Sequence, residues 1–218
     1  MGFFNFLKAS DKYFVIGNKM KLLLFSDIHC NAKNCELLVQ QSKDVDVVIG
    51  AGDFASFRRD LDISIEVLKK IKKQTILVPG NSESFEELLA ACKDWSESKV
   101  LHGSGDRIND YDFYGVGGGI PVTPFGAWSY DFNEEQAREL LKGCPTGAIL
   151  VTHSPPKGVV DKSFLGKSLG STSIHETILN KNPILVVCGH IHESSGQHGK
   201  LGSSEVINAG PHGIIWEV

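Results

Sequence analysis

Residues 21–29 read KLLLFSDIH, an apolar run of strand length that ends in the polar residues Asp27 and His29. A short apolar run of this kind is typical of a strand buried in a parallel sheet. Four further apolar runs are followed in the same way by a polar motif. The five run-and-motif pairs are 21–25 with Asp27-Ile28-His29, 45–49 with Gly52-Asp53, 75–78 with Gly80-Asn81, 148–151 with Thr152-His153, and 184–187 with Gly189-His190-Ile191-His192.

The position of these motifs matters more than any one of them. Gly-Asp and Gly-Asn pairs are common in turns, and a lone Asp-x-His is a weak signal. In an open α/β sheet, however, ligands collect outside the carboxyl ends of the strands, so five parallel strands would bring these side chains to one edge. Such a polar cluster would be costly to bury without bound cations. The sequence therefore predicts a two-metal site, with these candidate ligands: Asp27, His29, Asp53, Asn81, His153, His190 and His192.

The segments between the motifs predict an α/β fold. Helical spacing at residues 32–43, 61–73 and 84–93 alternates with the first three strands, which is the pattern of a parallel sheet. Short strands at 99–102, 107–109 and 112–116 suggest a meander. Two further helices are predicted at 133–142 and 173–180, with Asn133 and Ser173 as capping residues. Hairpin-like segments follow at 194–198, 205–208 and 214–218. Together these elements predict two mixed sheets packed together, with helices outside.

Composition sets the class of protein. The chain has 218 residues, 41% apolar and 22% charged, which suits a single globular domain that we place at residues 20–218. Its formal net charge is −4, and no run of Lys or Arg appears, which argues against binding of a nucleic-acid polymer. No apolar stretch is long enough to span a membrane, so no membrane association is expected.

The cysteines and the first residues of the chain support two further expectations. The five cysteines are odd in number and form no CxxC pair, which fits free thiols in a reducing cytosol and predicts a cytoplasmic protein. Residues 1–19 begin with a short apolar run that Lys8, Asp11 and Lys12 interrupt, so it does not fit a signal peptide. We expect residues 1–19 to be a disordered or peripheral extension.

The order Asp-x-His, Gly-Asp, Gly-Asn, His, Gly-His-x-His resembles that of the calcineurin-like metallophosphoesterase superfamily, across roughly residues 21–218. The loops at 117–126 and 152–156 resemble those of a small single-domain branch. The resemblance implies a four-layer α/β/β/α sandwich. It also implies that one cation is held by Asp27, His29, Asp53 and His192. The second cation would be held by Asn81, His153, His190 and the shared Asp53.

The expected chemistry follows from the two ions. Cations about 3.5–4 Å apart lower the pKa of a bridging water and bind phosphoryl oxygens, so a metal-bound hydroxide would attack phosphorus. Two divalent ions outweigh two carboxylates, and the positive pocket suits a phosphate ester. Nitrogen and oxygen ligands suit Mn, Fe, Zn or Ni, and leave the metal's identity open. Asn81 and His153 are the candidate catalytic residues beyond their role as ligands.

Two positions depart from the family pattern. Many relatives carry His after Gly-Asn, credited with protonating the leaving group, and this chain has Ser82 there. A general acid is typically worth about 10²–10⁴ in rate, so we expect slow turnover or a preference for good leaving groups. We also expect phosphodiesters to be favoured over monoesters. In addition, Cys30 stands where relatives often carry Gly.

Several alternatives stay open. A hydrolase acting on a small phosphoester, a nucleotide among the candidates, competes with a protein-interaction scaffold that has kept the fold and lost useful catalysis. Nuclease action is disfavoured by the acidic balance. Phe125, Trp128 and Tyr130 either stack on a base or an aryl leaving group or pack against the protein body. The sequence does not indicate an oligomeric state.

Overall fold

The computed structural model describes residues 19–218, so the prediction of an extension over residues 1–19 lies outside the described residues apart from Lys19. The strands are β1 Lys21–Phe25, β2 Val47–Gly50, β3 Gln74–Leu77, β4 Ser98–Val100, β5 Ser104–Ile108, β6 Tyr111–Val116, β7 Ile149–Thr152, β8 Leu185–Cys188, β9 His198–Leu201, β10 Ser204–Asn208 and β11 Ile214–Glu217. The α-helices are α1 Ala32–Gln41, α2 Leu61–Leu68, α3 Phe85–Ala91, α4 Glu134–Leu141 and α5 Thr172–Lys181.

The strands form two mixed sheets. The first has the order β11-β1-β2-β3-β4, in which β1 to β4 are parallel and β11 is antiparallel to β1. The second has the order β5-β6-β7-β8-β10-β9, with a parallel centre and antiparallel β5 and β9 at its edges. The expectation of five motif-bearing strands in one sheet is wrong, because β1, β2 and β3 lie in the first sheet and β7 and β8 in the second.

Side-chain alternation along β1 shows how the layers are arranged. Leu22 and Leu24 point into a core shared by the two sheets, while Leu23 and Phe25 point to the other side, where they pack with residues of the helices α1, α2 and α3. Helices α4 and α5 cover the outer face of the second sheet through a third core. These four side chains of β1 are fully buried, and burial of each stabilises the fold by about 1.5–3 kcal/mol. The fold is thus the predicted four-layer α/β/β/α sandwich.

Helix caps agree with the sequence at α4 but not at α5. Asn133 caps α4 in a capping box with Gln136, as predicted. Helix α5, however, is capped by Ser171, whose hydroxyl accepts a hydrogen bond from the Ile174 amide at 3.2 Å. Ser173 is buried within the first turn, so the prediction of Ser173 as the capping residue is wrong. Ser171 and Ser173 both lie at the start of the helix, and the spacing from Ser173 to Glu176 favoured Ser173 in the sequence.

Two strand predictions also need correction. The segment predicted as the start of a meander, β4, pairs in parallel with β3 and belongs to the first sheet, whereas β5 and β6 form a hairpin in the second. The segment at 194–198 is mostly not a strand, because a 3-10 turn occupies His192–Ser194 and only His198 enters β9. The Asn208 side chain stabilises this turn by donating to the carbonyl oxygens of Gly189 and Ile191 at 3.1 Å.

Within residues 19–218, no helix has the length and apolar character needed to cross a membrane.

Candidate metal centre

The two sheets present the carboxyl ends of their parallel strands side by side. The backbone amide of His190, after β8, donates to the Asp27 carboxylate, after β1, at 3.0 and 3.1 Å. The ring of His153, after β7, contacts the carbonyl oxygen of Ala51, after β2, at 2.8 Å. These contacts join one sheet to the other, and the structure thereby brings all of the predicted ligands to one edge of the molecule.

The first group of ligands consists of Asp27, His29, Asp53 and His192. One nitrogen or oxygen atom from each lies within 4.8 Å of the others, which is close enough for a single cation to be shared. The Nε2 atom of His29 is 3.5 Å from Asp53 Oδ2, and Nε2 of His192 is 3.5 Å from Asp27 Oδ1. The two Nε2 atoms are themselves 3.2 Å apart.

The second group lies on the other side of Asp53. The Nε2 atom of His153 is 3.4 Å from Asp53 Oδ1 and 3.2 Å from Asn81 Oδ1. The imidazole rings of His153 and His190 have their centroids 4.9 Å apart. Asp53 therefore directs one carboxylate oxygen to each group, which is the geometry of a ligand shared between two ions.

The tautomers of two histidines fit the binding of cations. His29 Nδ1 lies 3.1 Å from the carbonyl oxygen of Ala55, and His153 Nδ1 lies 2.8 Å from that of Ala51. A carbonyl oxygen only accepts hydrogen bonds, so each Nδ1 carries the proton. Whenever the ring is in its neutral form, its Nε2 lone pair therefore faces the carboxylate of Asp53. A cation can bind between an Nε2 lone pair and a carboxylate oxygen, because both donate electron pairs to it. Metal-binding histidines are commonly oriented by a hydrogen bond from the other ring nitrogen, here Nδ1, to a backbone carbonyl.

Burial and neighbouring charges put two ligands in the protonation state that metals require. Burial raises the pKa of Asp27, but the hydrogen bond from His192 and the charge of His153 outweigh it and lower the pKa to about 2. Burial and the neighbouring His153 lower the pKa of His190 to about 4. At neutral pH the Asp27 carboxylate is ionised and the His190 imidazole is neutral, as needed for coordination.

The ligand loops hold strained backbone. Asp27, His29, Asp53 and His190 have positive φ values of 54°, 41°, 57° and 68°. A left-handed conformation costs an L-residue roughly 1–2 kcal/mol, and such residues persist mainly where function requires them. This backbone conformation directs the ligand side chains of neighbouring loops toward the same site.

The glycine of the Gly-Asp motif has a steric role. Gly52 has φ +90°, and a Cβ atom there would lie 2.6 Å from Gly80 Cα and 2.6 Å from His153 Nδ1. No side chain fits between the three loops at this point. The loops after β2, β3 and β7 can therefore approach only if residue 52 is glycine.

Glu83 is a structural residue of the site that sequence reasoning missed. Its carboxylate is buried and accepts three backbone amides, from Asp53 at 2.9 Å, Gly80 at 2.6 Å and Ala55 at 2.9 Å. Burial and the nearby charge of Asp53 raise the pKa of Glu83 to about 7. Glu83 thus ties the loop after β2 to the loop after β3. Nothing in its residue type or spacing distinguishes it from a surface glutamate.

The orientation of Asn81 also depends on residues that the sequence did not indicate. Asn81 Nδ2 donates to the hydroxyl oxygen of Ser129 at 3.1 Å, and that hydroxyl donates to Asp131 Oδ1 at 2.7 Å. This chain of hydrogen bonds fixes which end of the amide faces His153. Ser82 is buried, and its backbone amide donates to Asp53 Oδ1 at 2.8 Å.

The chain matches the family model described as the calcineurin-like phosphoesterase superfamily domain over residues 20–216. The match spans nearly the whole chain, so the protein belongs to this superfamily, whose members are generally metal-dependent phosphoester hydrolases that use a dinuclear centre. A search of curated proteins found no significant match.

Solved structures share the fold at low sequence identity. The protein TT1561 of Thermus thermophilus is 22% identical, with a TM-score of 0.73, and the alignment covers 89% of this chain and 90% of that one. The phosphopantetheinyl hydrolase of Mycobacterium tuberculosis is 15% identical, with a TM-score of 0.59 and coverage of 89% and 90%. A dimetal phosphatase from Danio rerio is 12% identical, with a TM-score of 0.58 and coverage of 88% and 87%.

Proposed function

We propose that the protein is a dinuclear, metal-dependent phosphoesterase. The observation that carries the proposal is the position of Asp53, whose two carboxylate oxygens face two separate groups of ligands at 3.5 and 3.4 Å from histidine nitrogens. The first ion would be held by Asp27, His29, Asp53 and His192, and the second by Asp53, Asn81, His153 and His190.

Two bound divalent ions, Mn, Fe, Zn or Ni, would supply a water of lowered pKa and neutralise charge on the phosphoryl oxygens. The residues of the chain position the ions and leave one side of the site open. The buried His153 and Asn81 hold the inner side, whereas His192 is 59% exposed at the outer side, where an ester can enter. The amide of Asn81 is held by Ser129 and is the polar group best placed to contact substrate as well as metal.

We propose a preference for phosphodiesters over monoesters. Ser82 replaces the histidine that would protonate the leaving group, and a hydroxyl is a poor acid at neutral pH. Esters with good leaving groups depend least on such an acid, so the penalty of about 10²–10⁴ in rate would fall mainly on poor leaving groups. The substrate would be a small phosphoester, because the chain has a net charge of −4 and no run of Lys or Arg to bind a polymer.

The five cysteines all lie within residues 19–218 and are unpaired there, which supports a reducing, cytoplasmic location. Among these five thiols, that of Cys30 is half-buried and the other four are buried. The scaffold alternative rests on the single observation that Ser82 replaces an acid. A scaffold of this kind would have kept a full set of metal ligands that it no longer uses for catalysis.

The proposal is tested by hydrolysis of bis-p-nitrophenyl phosphate and p-nitrophenyl phosphate with added Mn²⁺. The wild-type protein should hydrolyse the diester faster, and Asp53→Asn should abolish hydrolysis of both because it removes the shared charge. Asp106→Asn, an exposed aspartate on β5, is the matched control and should retain full activity. Folded protein that is inactive with every divalent ion would refute the enzyme and favour the scaffold.

A further inference from the structure

A hairpin turn beside the metal centre has an unusual composition. Ser56 and Arg59 exchange backbone hydrogen bonds at 3.1 and 2.9 Å, which leaves Phe57 and Arg58 as the two central residues of the turn. Both have positive φ, 49° and 65°. Turns of this kind normally use Asn-Gly, and a bulky residue with positive φ is rare. Strain of this sort is a known mark of ligand-contacting loops.

The turn holds the ring of Phe57 against a second aromatic loop. Phe57 and Trp128 have ring centroids 5.1 Å apart, and Trp128 stacks on Phe125 at 5.6 Å with an interplanar angle of 15°. Phe57 remains 69% exposed and Phe125 51% exposed. We name these three side chains the aromatic shelf. An exposed apolar patch that a strained backbone maintains is a candidate binding surface.

The two loops that carry the aromatic shelf also contact both groups of metal ligands. Ala55, two residues before Phe57, accepts the hydrogen bond from His29 in the first group. Ser129, directly after Trp128, accepts the hydrogen bond from Asn81 in the second group. A phosphoester whose phosphate reached the metal centre could therefore extend its organic group over the shelf.

Arg58 connects the two loops that carry the aromatic shelf. Its Nη2 atom pairs with Glu87 Oε1 at 2.8 Å, and its Nη1 atom donates to the carbonyl oxygen of Trp128 at 3.5 Å. The two loops that carry the aromatic rings are thereby joined. A shelf that is held in place before binding loses little conformational entropy when a ligand stacks on it.

We infer that the aromatic shelf binds a flat aromatic group of the phosphoester substrate, either a nucleobase or an aryl ring. The inference rests on the proposed function and names the substrate class. The exposed rings of Phe57 and Phe125 offer faces for stacking, and base–aromatic stacking is strong enough to change affinity by about tenfold or more per ring.

Two matched pairs of ligands test the inference by calorimetry on the Mn²⁺-loaded protein, with phosphate release assayed in parallel. Adenosine 5′-monophosphate and ribose 5-phosphate differ only in the base, and phenyl phosphate and methyl phosphate differ in the aryl ring. At least one aromatic ligand should bind about tenfold more tightly than its partner. Phe57→Ala and Phe125→Ala should each remove most of this difference and leave the affinity for ribose 5-phosphate unchanged.

Phe164→Ala is the matched control, because Phe164 is 87% exposed on a different loop and should affect none of the four affinities. A preference for adenosine 5′-monophosphate alone identifies a nucleoside ester, and one for phenyl phosphate alone an aryl ester. Equal affinities within both pairs would overturn the shelf and leave the phosphoesterase intact. Failure of all four ligands to bind the metal-loaded protein would also overturn the shelf, whereas the phosphoesterase itself is decided separately by hydrolysis of bis-p-nitrophenyl phosphate with the same protein.

Discussion

At the scale of single residues, the buried carboxylate of Glu83 positions the ligand-bearing loops although it is not itself a proposed ligand. It accepts the backbone amides of Asp53, Ala55 and Gly80, and so joins two ligand-bearing loops that are far apart in sequence. An unsatisfied buried amide costs about 1–3 kcal/mol. The loops therefore depend on a side chain whose carboxylate is engaged with the backbone and not with the proposed ions.

Glu83→Gln should lower the free energy of unfolding by about 1–3 kcal/mol, because the amide's NH₂ group would face a backbone donor and leave it without an acceptor. The measurement is urea denaturation at pH 8, where the carboxylate is ionised. The exposed Glu36→Gln is the matched control and should change stability little. Equal stability of the two variants would contradict this role of Glu83.

A substitution of Cys30 is expected to raise the free energy of unfolding. The φ of Cys30 is 61° and lies in the left-handed region, which favours glycine. Cys30→Gly should raise the free energy of unfolding by up to about 1 kcal/mol, because glycine adopts this conformation without strain. The measurement is again urea denaturation. Cys30→Ala removes the thiol but keeps the Cβ atom, so it should not stabilise the protein. A larger gain from alanine would assign the strain to the thiol instead.

Residue type explains which parts of the site the sequence predicted. Asp27 and His192 are recognisable because metals select carboxylates and imidazoles, and each lies just after an apolar run. Glu83 and Ser129 act through hydrogen bonds to a backbone or an amide. Many residue types can do this at many spacings, so no pattern distinguishes them before the loops are seen together.

At the scale of secondary-structure elements, helix α5 depends on a side chain from helix α4. The carboxylate of Glu134 accepts the amides of Thr172 and Ser173 at 2.8 and 2.9 Å and the hydroxyl of Ser171 at 2.8 Å. These groups form the amino-terminal end of α5, where a negative charge is favourable. The contact joins the two helices that cover the second sheet.

Glu134 should make stability depend on pH. Burial raises its pKa, but hydrogen bonds from Ser173, Thr172 and Ser171 outweigh this and lower the pKa below its ordinary value of 4.5. Its contribution is therefore complete above that ordinary value and is lost as the pH falls through the lowered pKa. Glu134→Gln should cost about 0.3–1 kcal/mol at pH 7 and less at about pH 3, because protonation of the carboxylate removes the charge that the substitution deletes.

Urea midpoints at the two pH values measure this effect, with the exposed Glu135→Gln in the same helical turn as control. A Glu134→Gln deficit that persisted unchanged in acid would show that packing, and not charge, explains the contact.

The elements themselves were largely predictable, because hydrophobic periodicity and caps are local. The run Lys21–Phe25 is a strand over the same residues, and α4 has its predicted cap at Asn133. The partner of a strand is not local. The position of β4 beside β3, and not beside β5, depends on pairing that the short sequence Ser98–Val100 does not reveal.

At the scale of the whole molecule, the proposed metal centre lies at the seam between the two sheets. Asp27, Asp53 and Asn81 follow strands of the first sheet, whereas His153 and His192 follow strands of the second. Each group of ligands thus draws on both sheets. Ions that bind there would connect the two halves of the sandwich and bind only to the folded chain.

Metal should therefore stabilise the fold. Mn²⁺ at about a hundred times the dissociation constant of a site should add about 2.7 kcal/mol for each site filled, which for a domain of this size is roughly 5–10 °C in Tm per site. Thermal denaturation with Mn²⁺ and then with excess EDTA measures the effect. Asp53→Asn should abolish most of the shift, and Asp106→Asn should preserve it. An identical Tm with and without metal would count against binding at the seam.

The packed layer between the sheets has a consequence for how activity can be lost. Leu24, Ile49, Val151 and Val187 belong to this layer, and their bulk determines how far apart the two sheets stand. Trimming one of them would alter the spacing of coordinating atoms on opposite sides of the seam, although each of the four is aliphatic and supplies no ligand. In a random screen for folded but inactive enzymes, aliphatic positions in the interior should therefore appear beside the aspartates and histidines.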